Sequence, residues 1–292
     1  MRGMAAPPQT AMSAVLEDGR RISWAEYGSA TGAPLVLLHG TPGSRLQFQL
    51  FHEPATAAGV RLVTPERPGS GRSDPVPGGV TYAGYADDLR QLLDHLELGS
   101  VTMSGASGGA GFALAAAILL PERVRRLLLV SAGSLPAPPE ALKRLTPPVR
   151  ILLALATRAP RLTGKLLASQ VSNLDSAASR WGRRFMPAAD RRVFEEPTRL
   201  ASFAEDFREA LRQGPSAAVQ DLRLGREGLD LDLADLDVDT VLLHGVDDVN
   251  APIEIARWFA AQVPSSRLME TPGAGHFFTL ERPELIFESV VR

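Results

Sequence analysis

The stretch 103-MSGASGGAGF-112 sets four glycines and two alanines around one serine, Ser107. An apolar run of strand length, SVTM at 100–103, leads into it. AGFALAAAILL at 110–120 leads out of it, a helical run that Pro121 stops. Ser107 therefore falls on a strand-to-helix turn too tight for ordinary side chains. Gly105 and Gly109, two residues before and two after, leave room for strand and helix to approach, and the serine hydroxyl is lifted above the strand end. The backbone N–H of Gly108 and the positive end of the new helix face the same point.

Working outward, the same rhythm recurs. PLVLLHG (34–40), VRLVTP (60–65), SVTMSG (100–105) and VRRLLLVSAG (124–133) are compact apolar runs closed by Gly or Pro, as expected of strands buried on both faces of a parallel sheet. Between them Tyr85, Leu89, Leu92, Leu93 and Leu96 share one helical face, and Gly99 is the predicted C-cap. Upstream, SAVLEDGRRISWAEYG predicts an antiparallel hairpin turning at Asp18-Gly19. From about 135 to 228 no strand-like run is found; proline pairs and arginine-rich helical stretches take over. Strands resume with TVLLHG (240–245) and SRLMET (266–271), and PELIFESVVR ends the chain as a helix. The order predicts an α/β core from residues 12–134 and 229–292, a disordered lead over 1–11, and a helical cap over 135–228. Such an insert lies beside the C-terminal edge of the sheet, where open α/β folds bind ligands, and so reads as a lid.

Composition bounds the partners. The 292 residues are 45% apolar and 22% charged with a net charge of −2, so no global positive field draws the chain to nucleic acid or acidic lipid. There is no cysteine, hence no disulfide, thiolate metal site or cysteine nucleophile. Pro7, Pro8 and Gln9 interrupt any export signal, and no apolar run reaches the roughly 18 to 20 residues of a membrane span. A cytoplasmic protein with no membrane partner is expected.

A serine hydroxyl is a poor nucleophile near neutral pH and needs a base, which in turn needs an orienting acid. Of five histidines, His95 stands at a helix end and His52 in a loop or helix start, while His39 and His244 precede glycines at strand ends as loop organisers. His276, in TPGAGHFF after the last strand, is on a glycine-rich loop at the sheet edge and is the candidate base. Asp247 and Asp248, after TVLLHG, are both candidates for the acid.

Together these motifs resemble the α/β-hydrolase fold serine hydrolases with a helical cap, in particular an esterase and proline iminopeptidase-like group. The resemblance covers residues 12–134 and 229–292. It rests on His39-Gly40-Thr41-Pro42-Gly43, ERPGSGRSD (66–74), the Ser107 turn, HGVDDVNAP (244–252) and GAGH (273–276). It implies a mostly parallel central sheet flanked by helices, with Ser107, Asp248 and His276 as the catalytic residues. Asp248 is preferred because Gly245, Asp248 and Pro252 match the group's G-x-x-D-x-x-x-P. The implied oxyanion hole is the N–H of Thr41 with that of Gly108, since Pro42 has none to give, and His39, Gly40, Gly105 and Gly109 support it.

Glu66 stands where the group usually carries Asp, a departure that bears on substrate subclass. H-G-T-P-G is close to the H-G-G-P-G of proline iminopeptidases, which hold a free amino terminus with cap carboxylates; Glu195, Glu196, Glu205, Asp206 and Glu209 are available. Arg180, Arg183 and Arg184 read as a solvated face, and Trp181, Phe185 and Met186 as helix core or pocket lining. The implied activity is cofactor-independent and metal-free hydrolysis of a carboxylic ester or related small acyl substrate. An aminopeptidase, a C–C bond hydrolase or a lactonase would use the same triad, and a ligand receptor or lyase the same fold.

Overall fold

The computed structural model describes residues 7–173 and 186–291. Its centre is an eight-stranded sheet in the order β1-β2-β4-β3-β5-β6-β7-β8. The strands are β1 (Gln9–Val15), β2 (Arg21–Gly28), β3 (Ala33–Leu38), β4 (Val60–Pro65), β5 (Val101–Ala106), β6 (Val124–Val130), β7 (Asp239–Gly245) and β8 (Ser266–Thr271). β2 pairs antiparallel with β1 and with β4, and every later pairing is parallel.

The unbroken apolar runs reflect burial on both faces. In β3, Val36 and Leu38 join one core cluster while Leu35 and Leu37 join the other. Helices α2 (Tyr82–His95), α3 (Gly109–Leu119) and α10 (Ile253–Gln262) supply the first cluster; α1 (His52–Ala57) and α11 (Glu284–Val291) supply the second. α3 is apolar all round because all of it up to Ile118 is buried, against β5, β6 and α2.

Two boundaries differ from expectation. β1 begins at Gln9, inside the segment 1–11 expected to be disordered: Gln9 pairs with Glu26, and the Thr10 carbonyl accepts from Arg45 Nε at 2.6 Å. Pro7 and Pro8 precede this pairing and do not interrupt it. At the end of α2 the left-handed residue is Glu97 (φ +53°), not Gly99. Leu98 N donates to Leu93 O at 2.9 Å and Glu97 N to Asp94 O at 3.1 Å, the bond pair of a Schellman cap. Leu98 packs on the core as it does so, which offsets the strain of a side chain at positive φ.

Between β6 and β7 the described residues form only helices: α4 (Pro139–Leu142), α5 (Pro147–Arg158), α6 (Pro160–Asn173), α7 (Ala188–Val193), α8 (Pro197–Ala210), α9 (Ser216–Glu227) and a short 3-10 turn. Polar ties hold this insert to the loops at the C-terminal ends of the strands. Ser44 N and Oγ donate to Asp206 at 2.8 and 2.7 Å, Arg45 Nη1 to Glu209 at 2.6 Å, and Arg67 Nε to Asp221 at 2.8 Å. The sheet-edge loops and the insert therefore enclose one region, above β5.

Candidate active site

Ser107 follows β5 directly and holds φ at +51°, a conformation side chains rarely adopt. Close packing maintains it. A Cβ on Gly105 would stand 2.3 Å from the Gly109 carbonyl oxygen, and one on Gly109 would stand 2.5 Å from those of Leu38 and His39. Strand, turn and helix can approach this closely only with glycine at both places.

His276 comes from the loop after β8. Its Nε2 lies 2.9 Å from Ser107 Oγ and its Nδ1 lies 2.7 Å from Asp248 Oδ2. Asp248, after β7, is buried, and its other oxygen accepts from the N–H groups of Asn250 and Ala251 at 2.9 and 2.8 Å. Asp247 is exposed, and the carboxylate bonded to the histidine is that of Asp248. Burial would raise the Asp248 pKa, but the His276 charge and hydrogen bond hold it below the usual carboxylate value. Burial would lower the His276 pKa, but the Asp248 carboxylate, with Asp190 behind it, holds it above the usual imidazole value. Of two adjacent aspartates, the structure brings Asp248 to the serine–histidine pair.

Thr41 and Gly108 stand side by side next to Ser107. A Cβ on Gly108 would meet the Thr41 side chain within 2.9 Å and the Thr41 nitrogen at 3.3 Å. The Thr41 loop is held from beneath by Arg67, which is wholly buried. Arg67 Nη1 donates to His39 O at 2.6 Å, and Nη2 to Gly40 O at 2.7 Å and Thr41 Oγ1 at 3.0 Å. Its charge is matched by Asp221 of α9, at 2.7 Å. Gln47 adds a second support, accepting from Gly40 N at 2.7 Å.

His39 and His244 are loop organisers. His39 Nε2 accepts from Arg67 N at 3.2 Å, which leaves Nδ1–H to donate to Gly40 O at 2.9 Å; burial and the Arg67 charge keep the ring neutral. His244 Nε2–H donates to Ala251 O at 2.7 Å, and burial lowers its pKa too. His52 Nδ1 accepts from Gly28 N, and His95 is exposed.

Glu66 has a structural explanation. Its carboxylate accepts from Arg45 Nη1 at 2.6 Å and Arg72 N at 2.7 Å, and it lines neither cavity at Ser107. Three of the insert's five carboxylates singled out above are likewise committed to partners away from Ser107. Glu196 caps α8, Glu205 accepts from Gln49, Glu209 pairs with Arg45, and Glu195 lies exposed. Asp206 alone of the five lines a cavity at Ser107; burial pushes its pKa up to about 7, and Ser44 holds it. Arg180, Trp181, Arg183, Arg184 and Phe185 lie outside the described residues, and Met186 lines neither cavity.

One acidic residue escaped the sequence reading. Asp190 of α7 is buried against the histidine loop, where Oδ1 accepts from Phe277 N at 3.1 Å. A Cβ on Gly275 would stand 2.3 Å from that oxygen, so the loop glycine admits the carboxylate. Burial raises the Asp190 pKa, and its Oδ2 has no hydrogen-bond partner among the described residues.

Two cavities meet at Ser107 and His276. The smaller, about 60 Å3, is lined by Gly40, Phe48, Phe203, Asp206 and Leu280 among others. The larger, about 1090 Å3, opens on the Thr41 and Gly108 side and is walled by apolar residues such as Leu145, Leu152 and Trp258. Among the described residues, no group of three His, Cys, Asp or Glu side chains is arranged to hold a metal ion.

The chain is 28% identical over 260 residues to a 2-hydroxy-6-oxononadienedioate/2-hydroxy-6-oxononatrienedioate hydrolase of Pseudomonas putida, covering 86% of this chain and 83% of that one. Its fold matches an esterase from Exiguobacterium antarcticum, with TM-score 0.70 and 22% identity over 97% of this chain and 98% of that one. It also matches the enol-lactonase from Burkholderia xenovorans LB400, with TM-score 0.70 and 19% identity over 96% and 98% of the two chains. The model of the alpha/beta hydrolase fold matches residues 33–283. With the sheet order and the strand-to-helix turn at Ser107, this match shows that the chain belongs to the alpha/beta hydrolase fold family.

Proposed function

We propose that the protein is a serine hydrolase that cleaves a carboxylic ester or related small acyl substrate through an acyl-enzyme. The observation that carries this reading is the continuous contact from Ser107 Oγ through His276 to Asp248, at 2.9 and 2.7 Å. With Nδ1–H donated to Asp248, the neutral imidazole presents a lone pair at Nε2 to the Ser107 hydroxyl. Oγ attacks the carbonyl carbon as His276 takes its proton, and the resulting oxyanion lies toward the N–H groups of Thr41 and Gly108. Collapse expels the alcohol, which takes the proton from His276. Water then repeats the sequence in reverse to release the acid. Asp248 stabilises the imidazolium at each stage and stays ionised.

The base must be neutral to begin. Because the His276 pKa is raised, activity is lost as pH falls through a value above that of ordinary histidine.

Ester cleavage is favoured over removal of an amino-terminal residue by what the cap carboxylates do. Four of the five line neither cavity at Ser107, and Asp206 is bound to Ser44. A fluorophosphonate probe, which phosphonylates activated serines, should label the native chain and not Ser107→Ala. Labelling that persists in the variant refutes the assignment.

A further inference from the structure

The near-neutral total charge hides an asymmetry. Residues 141–171 carry six cations, Lys143, Arg144, Arg150, Arg158, Arg161 and Lys165, and no acidic residue. The rest of the chain holds the other 25 cations against all 33 anions, a net of −8. The same stretch exposes large apolar side chains: Leu142 is 43% exposed, Ile151 59%, Leu162 47% and Leu166 43%. Only two others in the described residues, Val15 and Leu119, are comparable.

On each helix these features lie on the exposed side. α5 and α6 pack on each other and on α9, and away from those contacts α6 presents Arg161 and Lys165, and Leu162 and Leu166, each pair one helical turn apart. Arg144 pairs with Glu254 at 3.2 Å; the other five cations are exposed and make no ion pair with a described residue. The patch is also continuous with the site. Leu142, Lys143, Arg150 and Ile151 are exposed and at the same time line the larger cavity at Ser107, so they form its rim.

Apolar side chains interleaved with cations, with anions excluded, match a helix pair lying in the interface of an anionic bilayer. Leucine and isoleucine enter the acyl boundary while lysine and arginine stems reach back to the headgroups. Protein interfaces are enriched in aromatic residues and methionine, and residues 141–171 hold neither, which makes a protein partner a poorer match to this face. The expectation of no membrane partner rests on total charge and on the lack of a spanning run. Neither bears on a face that lies flat, and among the described residues no helix is long and apolar enough to cross.

We propose that the outward face of α5 and α6 docks the protein on an anionic lipid surface, with the mouth of the larger cavity toward the bilayer. Where the hydrolase reading above holds, esters dissolved in the bilayer reach Ser107 without crossing water; the docking itself does not depend on that reading.

The test is co-sedimentation of the full chain with vesicles of phosphatidylcholine alone and of phosphatidylcholine mixed with phosphatidylglycerol. The mixed vesicles should bind at least about tenfold more tightly at low salt, and the preference should fade as salt is raised. Each cation near an anionic surface contributes about fivefold, so Arg158→Gln, Arg161→Gln and Lys165→Gln combined, none of which lines a cavity at Ser107, should weaken binding about a hundredfold. Leu162→Ser with Leu166→Ser should weaken binding to both vesicle types, and Ser107→Ala should bind like the native chain. Equal or absent binding of the native chain to the two vesicle types at low salt overturns the proposal without recourse to any variant. So does a dimer in sedimentation velocity that the triple variant dissociates, which gives the face to a second copy. Vesicle binding that survives a failed fluorophosphonate test keeps the docking surface and overturns the hydrolase reading alone.

Discussion

Ser107 is held at φ +51° between glycines that no other residue can replace without meeting backbone, and this constraint was legible in the sequence because close approach leaves glycine as its trace. The acid was less so. Asp247 and Asp248 differ by one position, and only the loop geometry, with Asp248 Oδ1 taking two backbone N–H groups, turns one inward and leaves the other in solvent. Asp248→Asn should lower kcat by about four orders of magnitude by presenting the wrong imidazole tautomer, whereas Asp247→Asn should stay near native. Asp190 was not legible at all: it is one acid in AADRRV, and nothing local says that its helix meets the histidine loop. Its carboxylate helps hold the His276 pKa up, so Asp190→Asn should move the acid limb of kcat/KM to lower pH. A loss of rate with the limb unmoved would leave Asp190 a merely structural role.

The strands declared themselves by continuous apolar runs, because a sheet covered on both faces has no polar side to alternate with. Helix ends were read less well. The end of α2 uses Glu97 in the left-handed conformation because Leu98 gains core contact by it, a tertiary reason that the nearby Gly99 concealed. The loop at 39–41 shows the same limit: its residues were recognisable, but the Arg67 that clamps them takes its counter-charge from Asp221, 154 positions away. The strand-to-helix junction is the most constrained element. In Gly105→Ala the new methyl would lie 2.3 Å from a carbonyl oxygen of α3. We expect a loss of about 1–3 kcal/mol or more in urea unfolding, with the remaining folded fraction impaired in turnover.

Over the whole molecule, the insert is joined to the sheet edge by apolar contacts, such as those of Phe194 and Phe203 with Phe277, and by buried polar groups. The polar ties pair residues more than 150 positions apart, as in Ser44–Asp206, so they leave no periodic signal in the sequence. They also make stability depend on pH. Asp206 titrates near 7 in the folded protein against 3.8 for a free carboxyl, so its contribution is complete below about pH 4 and is lost as pH rises through about 7. Thermal melts across that range should show the native chain losing stability relative to Asp206→Asn as pH rises; a constant difference would contradict the assignment. In the proposed mechanism Ser107 carries the acyl group. Acid quenching during turnover of p-nitrophenyl acetate, followed by peptide mass spectrometry, would trap that intermediate. An acetyl group is expected on the peptide containing Ser107 and, within it, on Ser107 rather than Ser104; turnover with no adduct, or with the adduct elsewhere, would rule out an acyl-Ser107 intermediate.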